Sequence, residues 1–340
     1  MYLICYGTRP ELIKLIPLIK CFKDNNIDFI TLFSGQHKDL IKNFYNYIDK
    51  PNIVLDNIME HNQTLNSLVS KILIKMDNIY NNYNINNIIV QGDTSTAFGI
   101  ALSGFHRRIN IIHLEAGLRT NNKYSPYPEE LNRSFISKIA NIHLCPTEIS
   151  VKNLNKENIN KNVYLVGNTI VDMYNYVNKI NINDNIKNII NKEYYLVTLH
   201  RRENRGDKMI NMWNQLNNLS DKYNFIYISH PSLPESKKIL NNNIILLEPQ
   251  NYENMVHLIC NSKGIISDSG GLQEEAVCAN KKILICRDTT ERPETIECGL
   301  GKLINTEIIE NISFFDEDSI DLLENPYGKD VCEKILKVLL

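Results

Sequence analysis

Four stretches of this chain set reactive side chains directly behind short runs of apolar residues. Asp93 follows Gly92 at the end of NIIVQ (87–91), and Glu115 follows NIIHL (110–114). His200-Arg201-Arg202-Glu203-Asn204 follows YYLVTL (194–199), and Asp268-Ser269-Gly270-Gly271 follows GIIS (264–267). Carboxylates at the ends of neighbouring parallel strands converge on one sheet edge, where repulsion and pairing separate an acid from a base. Glu129 and Glu130 come next, in SPYPEELNR, and Arg119 and Arg133 are close enough in sequence to neutralise any of these acids. Two glycines opening a helix offer backbone N–H groups to a phosphate, with Ser269 as the N-cap. Glu275, one turn in, suits the hydroxyls of a ribose or simply complements the helix dipole. His200 beside two arginines fits an anion site better than a core. A further turn, Gly7-Thr8-Arg9-Pro10-Glu11, sets Arg9 against the dipole of the helix it opens, which either a bound diphosphate or pairing with Glu11 offsets.

Such groups need parallel strands to present them. Candidate strands are 2–6, 29–33, 87–91, 110–114, 142–145 and 163–166, then 194–199, 225–229, 244–247, 264–267 and 282–286. Helix-period segments separate them, as in 10–23, where Leu12, Leu15, Ile16, Ile19 and Phe22 share one face. Nearly continuous apolar strands indicate sheets covered on both faces. Alternation of this kind twice over predicts an α/β fold of two doubly wound, Rossmann-like parallel sheets. The polar tract 175–192 reads as a helix end followed by the connection between domains. The chain holds 14 glycines in 340 residues, about 4% against a usual value of about 7%. Most of them fall in the loops after strands: Gly7, Gly35, Gly92, Gly117, Gly167, Gly206, Gly270 and Gly271.

Composition excludes several classes. With 43% hydrophobic and 22% charged residues the chain is globular,. A net charge of −2 gives no general attraction to nucleic acid or to an anionic membrane,. No apolar run approaches the roughly 20 residues of a membrane helix. MYLICYGTRPE reads as a strand rather than a signal peptide. Eight cysteines without a CxxC pair indicate free thiols and a cytoplasmic protein, with neither zinc nor disulfides,. No G-x-G-x-x-G or GxxxxGK[ST] follows a strand, so NAD and ATP sites of those kinds are not expected, and no spacing specifies a metal.

Together the motifs resemble one family, the non-hydrolysing UDP-N-acetylglucosamine 2-epimerases. The matching stretches run in order through nearly the whole chain: GTRPELIKLIPL (7–18), SGQHKDL (34–40), QGDTSTA (91–97), HLEAGLRT (113–120), YSPYPEELNR (124–133), VGNTIVD (166–172), HRREN (200–204), EPQNY (248–252), SDSGGLQEEA (267–276), RDTTERPE (287–294) and NPYG (325–328). The resemblance implies a GT-B-like fold. Residues 1–170 would form a domain carrying the carboxylates and 171–326 a UDP-binding domain facing it over a cleft. Residues 327–340 would be a helix crossing back to the first, with Val331, Ile335, Leu336 and Leu339 on one face. It further implies a homodimer, a UDP-sugar substrate and no cofactor.

The implied chemistry is elimination of UDP to a 2-acetamidoglucal, then readdition with C2 protonated on the opposite face. Asp93, Glu115 and Glu129 carry over as acid–base groups, and His200 and Arg9 as groups meeting the diphosphate. Lys14, Gln250, Met255, Ser269, Gly270, Gly271 and Glu275 carry over as substrate contacts. Met255 stands where many relatives have phenylalanine near the uracil. A second, activating nucleotide site in bacterial relatives maps to Gln36, His37, Arg201 and His230. Asp39 and Asn62 depart from that pattern, which weakens the case for activation by substrate. A UDP-6-deoxy-L-hexosamine epimerase, a GT-B glycosyltransferase and a non-catalytic UDP-sugar sensor are the competing readings. Three carboxylates for one sugar carbon favour the epimerase.

Overall fold

The structure is a computed structural model that describes the chain apart from residues 37–40, 61, 181, 183, 319 and 321 and the side chains of residues 42, 184 and 185. It divides into two compact units, Met1–Met173 with Tyr327–Leu340, and Tyr174–Pro326.

In the first unit, strands β1 (Tyr2–Tyr6), β2 (Phe29–Phe33), β3 (Ile53–Val54), β4 (Asn87–Gln91), β5 (Asn110–Leu114), β6 (Ile142–Cys145) and β7 (Val163–Leu165) alternate with helices. These are α1 (Arg9–Asp24), α2 (Leu65–Asn82), α3 (Ser95–His106), α4 (Glu129–Ile139) and α5 (Glu148–Lys156), with α6 (Ile170–Val177) carrying the chain into the second unit. The strands form one parallel sheet in the order β3-β2-β1-β4-β5-β6-β7. The order reverses between β1 and β4, so the loops leaving those strands diverge at their carboxyl ends. Leu3, Cys5, Ile88, Val90, Ile100 and Ile111 are buried in its core. Helix α1 starts at the N-cap Thr8 with Pro10 in its first turn, buries Leu12, Leu15, Ile16, Ile19 and Phe22, and ends at Asn25,.

The second unit repeats the topology. Helix α7 (Asp184–Ile189) leads into β8 (Tyr195–Thr198), α8 (Asp207–Leu219), β9 (Phe225–Ile228), α9 (Ser236–Ile239) and β10 (Ile245–Leu247). Then come α10 (Tyr252–Asn261), β11 (Gly264–Ser267), α11 (Gly270–Cys278), β12 (Ile283–Ile285), α12 (Glu294–Glu297), β13 (Gly301–Leu303) and α13 (Ile308–Asn311). The parallel order is β10-β9-β8-β11-β12-β13, reversing between β8 and β11. Trp213 on α8 is buried and donates from Nε1 to the Tyr227 hydroxyl (3.0 Å), which donates to Leu199 O (3.2 Å) and so steadies the end of β8. The last helix, α14 (Val331–Leu339), lies in the first unit against α1. Asp172 caps it, accepting from Val331 N (3.2 Å) and Cys332 N (2.7 Å), and Val331, Ile335 and Leu336 are buried,.

Two features differ from the expectation. The tract read as an interdomain connection contains α7, whose Ile186 is buried with Ile182, Ile189 and Ile190 against Leu196, Ile226 and Leu258. The isoleucines keep helical spacing, but the asparagines among them masked the period. Strands β3 and β13 are additional, and at two and three residues they are too short to show an alternation.

Asparagine also has a conformational role. Among the described residues eight asparagines (26, 57, 62, 121, 158, 162, 280 and 305) adopt left-handed φ values between 51° and 61°. After glycine, asparagine enters that region at least cost, so in this glycine-poor chain it closes turns and helix ends. All eight cysteines are free. Among the described residues no helix is long and apolar enough to cross a membrane.

Candidate active site

In the first unit the expected carboxylates gather at the carboxyl ends of β4 and β5, which are hydrogen-bonded neighbours. Glu115 is buried and its backbone sits at φ +67°, a left-handed conformation that costs a glutamate about 1–3 kcal/mol,. One carboxylate oxygen meets Lys14 Nζ at 2.5 Å, and the other accepts from Gln91 Nε2. Lys14 comes from α1 and is itself buried, so the pair is enclosed. Both line a small hollow with Gln91, Asn168 and Thr169. Asp93 is more open and is paired with the buried Arg133 of α4. Thus Lys14, expected as a substrate contact, directly holds one of the acids.

The two glutamates at the start of α4 have separate surroundings. Glu130 is buried and accepts from Thr120 N and Asn121 N, both at 2.9 Å, with Arg133 Nη1 at 3.3 Å. It fastens the preceding loop. Glu129 is half-buried at the first helical position. Arg119 turns away from these acids and binds Glu157 through two nitrogens at 2.6 and 3.0 Å.

The turn carrying Asp93 is held from several sides. His113 Nε2 lies 2.8 Å from Gly92 O, and Asn132 Nδ2 donates to Asp93 O at 2.9 Å. Burial holds the His113 pKa down at about 3, so its ring is neutral and donates from Nε2,. Thr94 caps α3 and donates to Glu11 (2.7 Å). Arg9 is half-buried with its guanidinium 5.9 Å from the centre of the Phe44 ring. Gln36 accepts from the Thr96 hydroxyl at 2.9 Å. His37 lies outside the described residues. Asn62 takes a left-handed φ of 57°.

In the second unit the polar groups collect where the order reverses between β8 and β11. Asp268, fully buried, accepts from His200 N (3.0 Å), Arg201 N (2.9 Å) and Asn204 Nδ2 (3.1 Å). One carboxylate therefore ties the loop after β8 to the start of α11. The His200 ring stacks on His230 with centroids 5.0 Å apart. Partial burial, followed by the neighbouring His200 and Arg205, lowers the His230 pKa. Arg201 is paired with Glu203 at 2.9 Å.

Ser269 occupies the N-cap of α11, although its hydroxyl makes no capping bond. A Cβ on Gly270 would lie 2.7 Å from Arg292 Nη1, whereas one on Gly271 would meet no protein atom within 4 Å. Packing therefore requires the first glycine and leaves the second facing open space. Arg292 belongs to a buried ionic cluster with Glu274 (2.7 Å) and Glu291, and Arg287 joins it through Glu291 (2.9 Å). Glu275 is half-buried on α11. Gln250 donates to Glu248 O (2.8 Å) and accepts from Asn254 (2.9 Å), and Met255 on α10 packs at the edge of the core.

Gln91, Asn204 and Asp268 had no individual role legible in the sequence, and Glu11 had one only as a partner for Arg9. The available signal was an acid close behind a strand, Glu11 in the first turn of α1 behind Thr8 and Asp268 in the loop before α11.

Paired acids at the strand ends of one doubly wound sheet and two glycines opening a helix on another belong to a two-unit α/β architecture. Comparison with known proteins makes the class specific: the chain belongs to the UDP-N-acetylglucosamine 2-epimerase family, whose family model matches residues 19–340. It is 39% identical over 371 aligned positions to the UDP-N-acetylglucosamine 2-epimerase of Campylobacter jejuni, covering 99% of this chain and 97% of that protein. The crystal structure of the Neisseria meningitidis UDP-GlcNAc 2-epimerase bound to UDP-GlcNAc superposes with a TM-score of 0.90 at 34% identity, covering 99% of each chain. A glycosyltransferase from Streptomyces nogalater, SnogD, matches with a TM-score of 0.63 at 12% identity over 99% of this chain and 92% of that one, a likeness of fold alone.

Proposed function

We propose that this chain interconverts UDP-N-acetylglucosamine and UDP-N-acetylmannosamine without hydrolysis. The observation that carries the reading is the placement of Asp93 and Glu115 at the ends of adjacent strands, each with its own cation, in a member of this family. The two sugars differ only at C2, whose hydrogen is not α to a carbonyl and is barely acidic. Breaking the C1–O bond to UDP builds positive charge beside C2 and makes that proton removable. One carboxylate takes it, leaving 2-acetamidoglucal and UDP; another protonates C2 from the opposite face as UDP returns to C1.

Asp93, Glu115 and Glu129 serve as these groups. Lys14 holds the Glu115 carboxylate in place. His200 and Arg9 meet the departing diphosphate, and Ser269, Gly270, Gly271 and Glu275 bind diphosphate and ribose, with Gln250 and Met255 toward the base. Gly271 supports this, since the space its missing side chain leaves is not used by the protein. We assign the protein to the cytoplasm as a homodimer. Ile74 on α2, Phe105 on α3, and Leu131 and Phe135 on α4 remain exposed on helices that pack side by side, and a second copy would cover them.

The test is replacement of each acid. Asp93→Asn, Glu115→Gln and Glu129→Gln should each slow exchange of the C2 hydrogen with deuterated solvent by about 100-fold or more while UDP affinity stays near wild type. An acid whose removal leaves exchange at the wild-type rate has no part in the reaction.

A further inference from the structure

The N-terminus of α1, at the strand-order reversal of the first sheet, is where a doubly wound fold commonly receives a phosphate. Here the protein's own side chain fills that place. Glu11, 2% exposed, turns back over the first turn of its helix. Its Oε2 accepts from Gly7 N (3.0 Å), Thr8 N (2.6 Å) and Thr8 Oγ1 (2.8 Å), and its Oε1 accepts from Thr94 Oγ1 (2.7 Å). Three donors on one oxygen call for a carboxylate rather than a carboxylic acid. Gly7 closes the turn so tightly that a Cβ would lie 2.4 Å from Ser34 Oγ. Glu11 thus joins the loop after β1 to the loop after β4, and Thr94 is the residue next to Asp93.

We infer that Glu11 is a built-in anion at this helix terminus and a positioning residue for Asp93. It holds the Gly92–Thr94 turn from the α1 side, as His113 and Asn132 hold it from β5 and α4. The second unit contains the same device, with Asp268 tying the loop after β8 to α11 across its own reversal. The N–H groups of Gly7 and Thr8, in the turn leading into α1, are thus already bound by the protein's own carboxylate. The positioning role rests on the reading of Asp93 as an acid–base group.

Chemical rescue tests it. Glu11→Ala opens room for a small carboxylate beside the Gly7 and Thr8 N–H groups. Its kcat should fall about 100-fold with KM little changed, and sodium formate should recover about tenfold or more of the loss. Formate should also raise the Tm of Glu11→Ala, by binding the native state, and leave wild type unchanged. Glu11→Gln fills the space and keeps an acceptor oxygen for Gly7 and Thr8 but removes the charge, so it should be insensitive to formate. Should Glu11→Ala not fold, Thr94→Val removes the same link from the other side and should lower kcat by about tenfold.

The inference is overturned by a folded Glu11→Ala with wild-type kcat, by Thr94→Val with wild-type kcat, or by formate affecting neither the Tm nor the kcat of Glu11→Ala. The melting measurement requires no turnover. Failure of the epimerase reading would therefore appear as an inactive wild type with the formate-dependent Tm intact.

Discussion

Mild acid should destabilise the first unit through two histidines on adjacent strands. His113 on β5 and His143 on β6 face each other in register and are buried. Burial, reinforced by the fields of Arg119 and Arg133 and only partly offset by the Gly92 carbonyl, leaves the His113 pKa at about 3, and burial with the field of Arg119 leaves that of His143 at about 4. Both lie below the value of about 6.5 for an unfolded histidine. The unfolded chain therefore binds more protons between those limits, and the contribution is intact above about pH 6.5 and lost as pH falls toward the folded values. At about pH 5 each site favours unfolding by roughly 2 kcal/mol, or roughly 4 kcal/mol together, a large part of a total stability of about 5–15 kcal/mol. Urea titrations at neutral pH and near pH 5, followed by far-UV circular dichroism, measure the loss. Fluorescence of Trp213, the one tryptophan, follows the second unit separately. His143→Leu should make the loss smaller by roughly 2 kcal/mol. If wild type and His143→Leu lose equal stability over this pH interval, the argument from buried neutral histidine is wrong.

The two glycines that open α11 should respond oppositely. Gly270→Ala drives a Cβ into Arg292 and should lower the midpoint of the Trp213 unfolding curve. Gly271→Ala meets no protein atom, so its stability should hold or rise by about 0.5–1 kcal/mol while calorimetry shows weaker UDP binding. Asp268→Ala leaves three donors of the His200 loop without their buried acceptor. It should cost about 3–5 kcal/mol of second-unit stability in urea and reduce turnover with it. Phe135→Asp, at an exposed apolar position on α4, should convert the proposed dimer to monomer in light scattering; an unchanged mass would place the interface elsewhere.

The sheets were legible because parallel strands buried on both faces leave continuous apolar runs, as in NIIVQ and NIIHL, with chemistry-bearing residues immediately after them. Strand order then follows from the alternation with helices. Short edge strands and α7 were not legible: two residues carry no period, and asparagines obscured the spacing of Ile182, Ile186 and Ile189. The candidate acids were visible as types and places. Their partners were not, since pairing Lys14 with Glu115 or Glu11 with Thr94 depends on packing between elements distant in sequence. The glycine shortage also looks different in the fold. Asparagine shares the left-handed turns with glycine, and positions such as Gly7 and Gly270, where even a Cβ collides, call for glycine for space.

The most direct test of the central claim is NMR of the purified protein with UDP-N-acetylglucosamine in deuterated water. The account predicts UDP-N-acetylmannosamine carrying deuterium at C2, deuterium appearing in recovered starting material, and no accumulation of free sugar. Absence of both the epimer and C2 deuterium, or release of free N-acetylmannosamine with UDP as the main product, would contradict it.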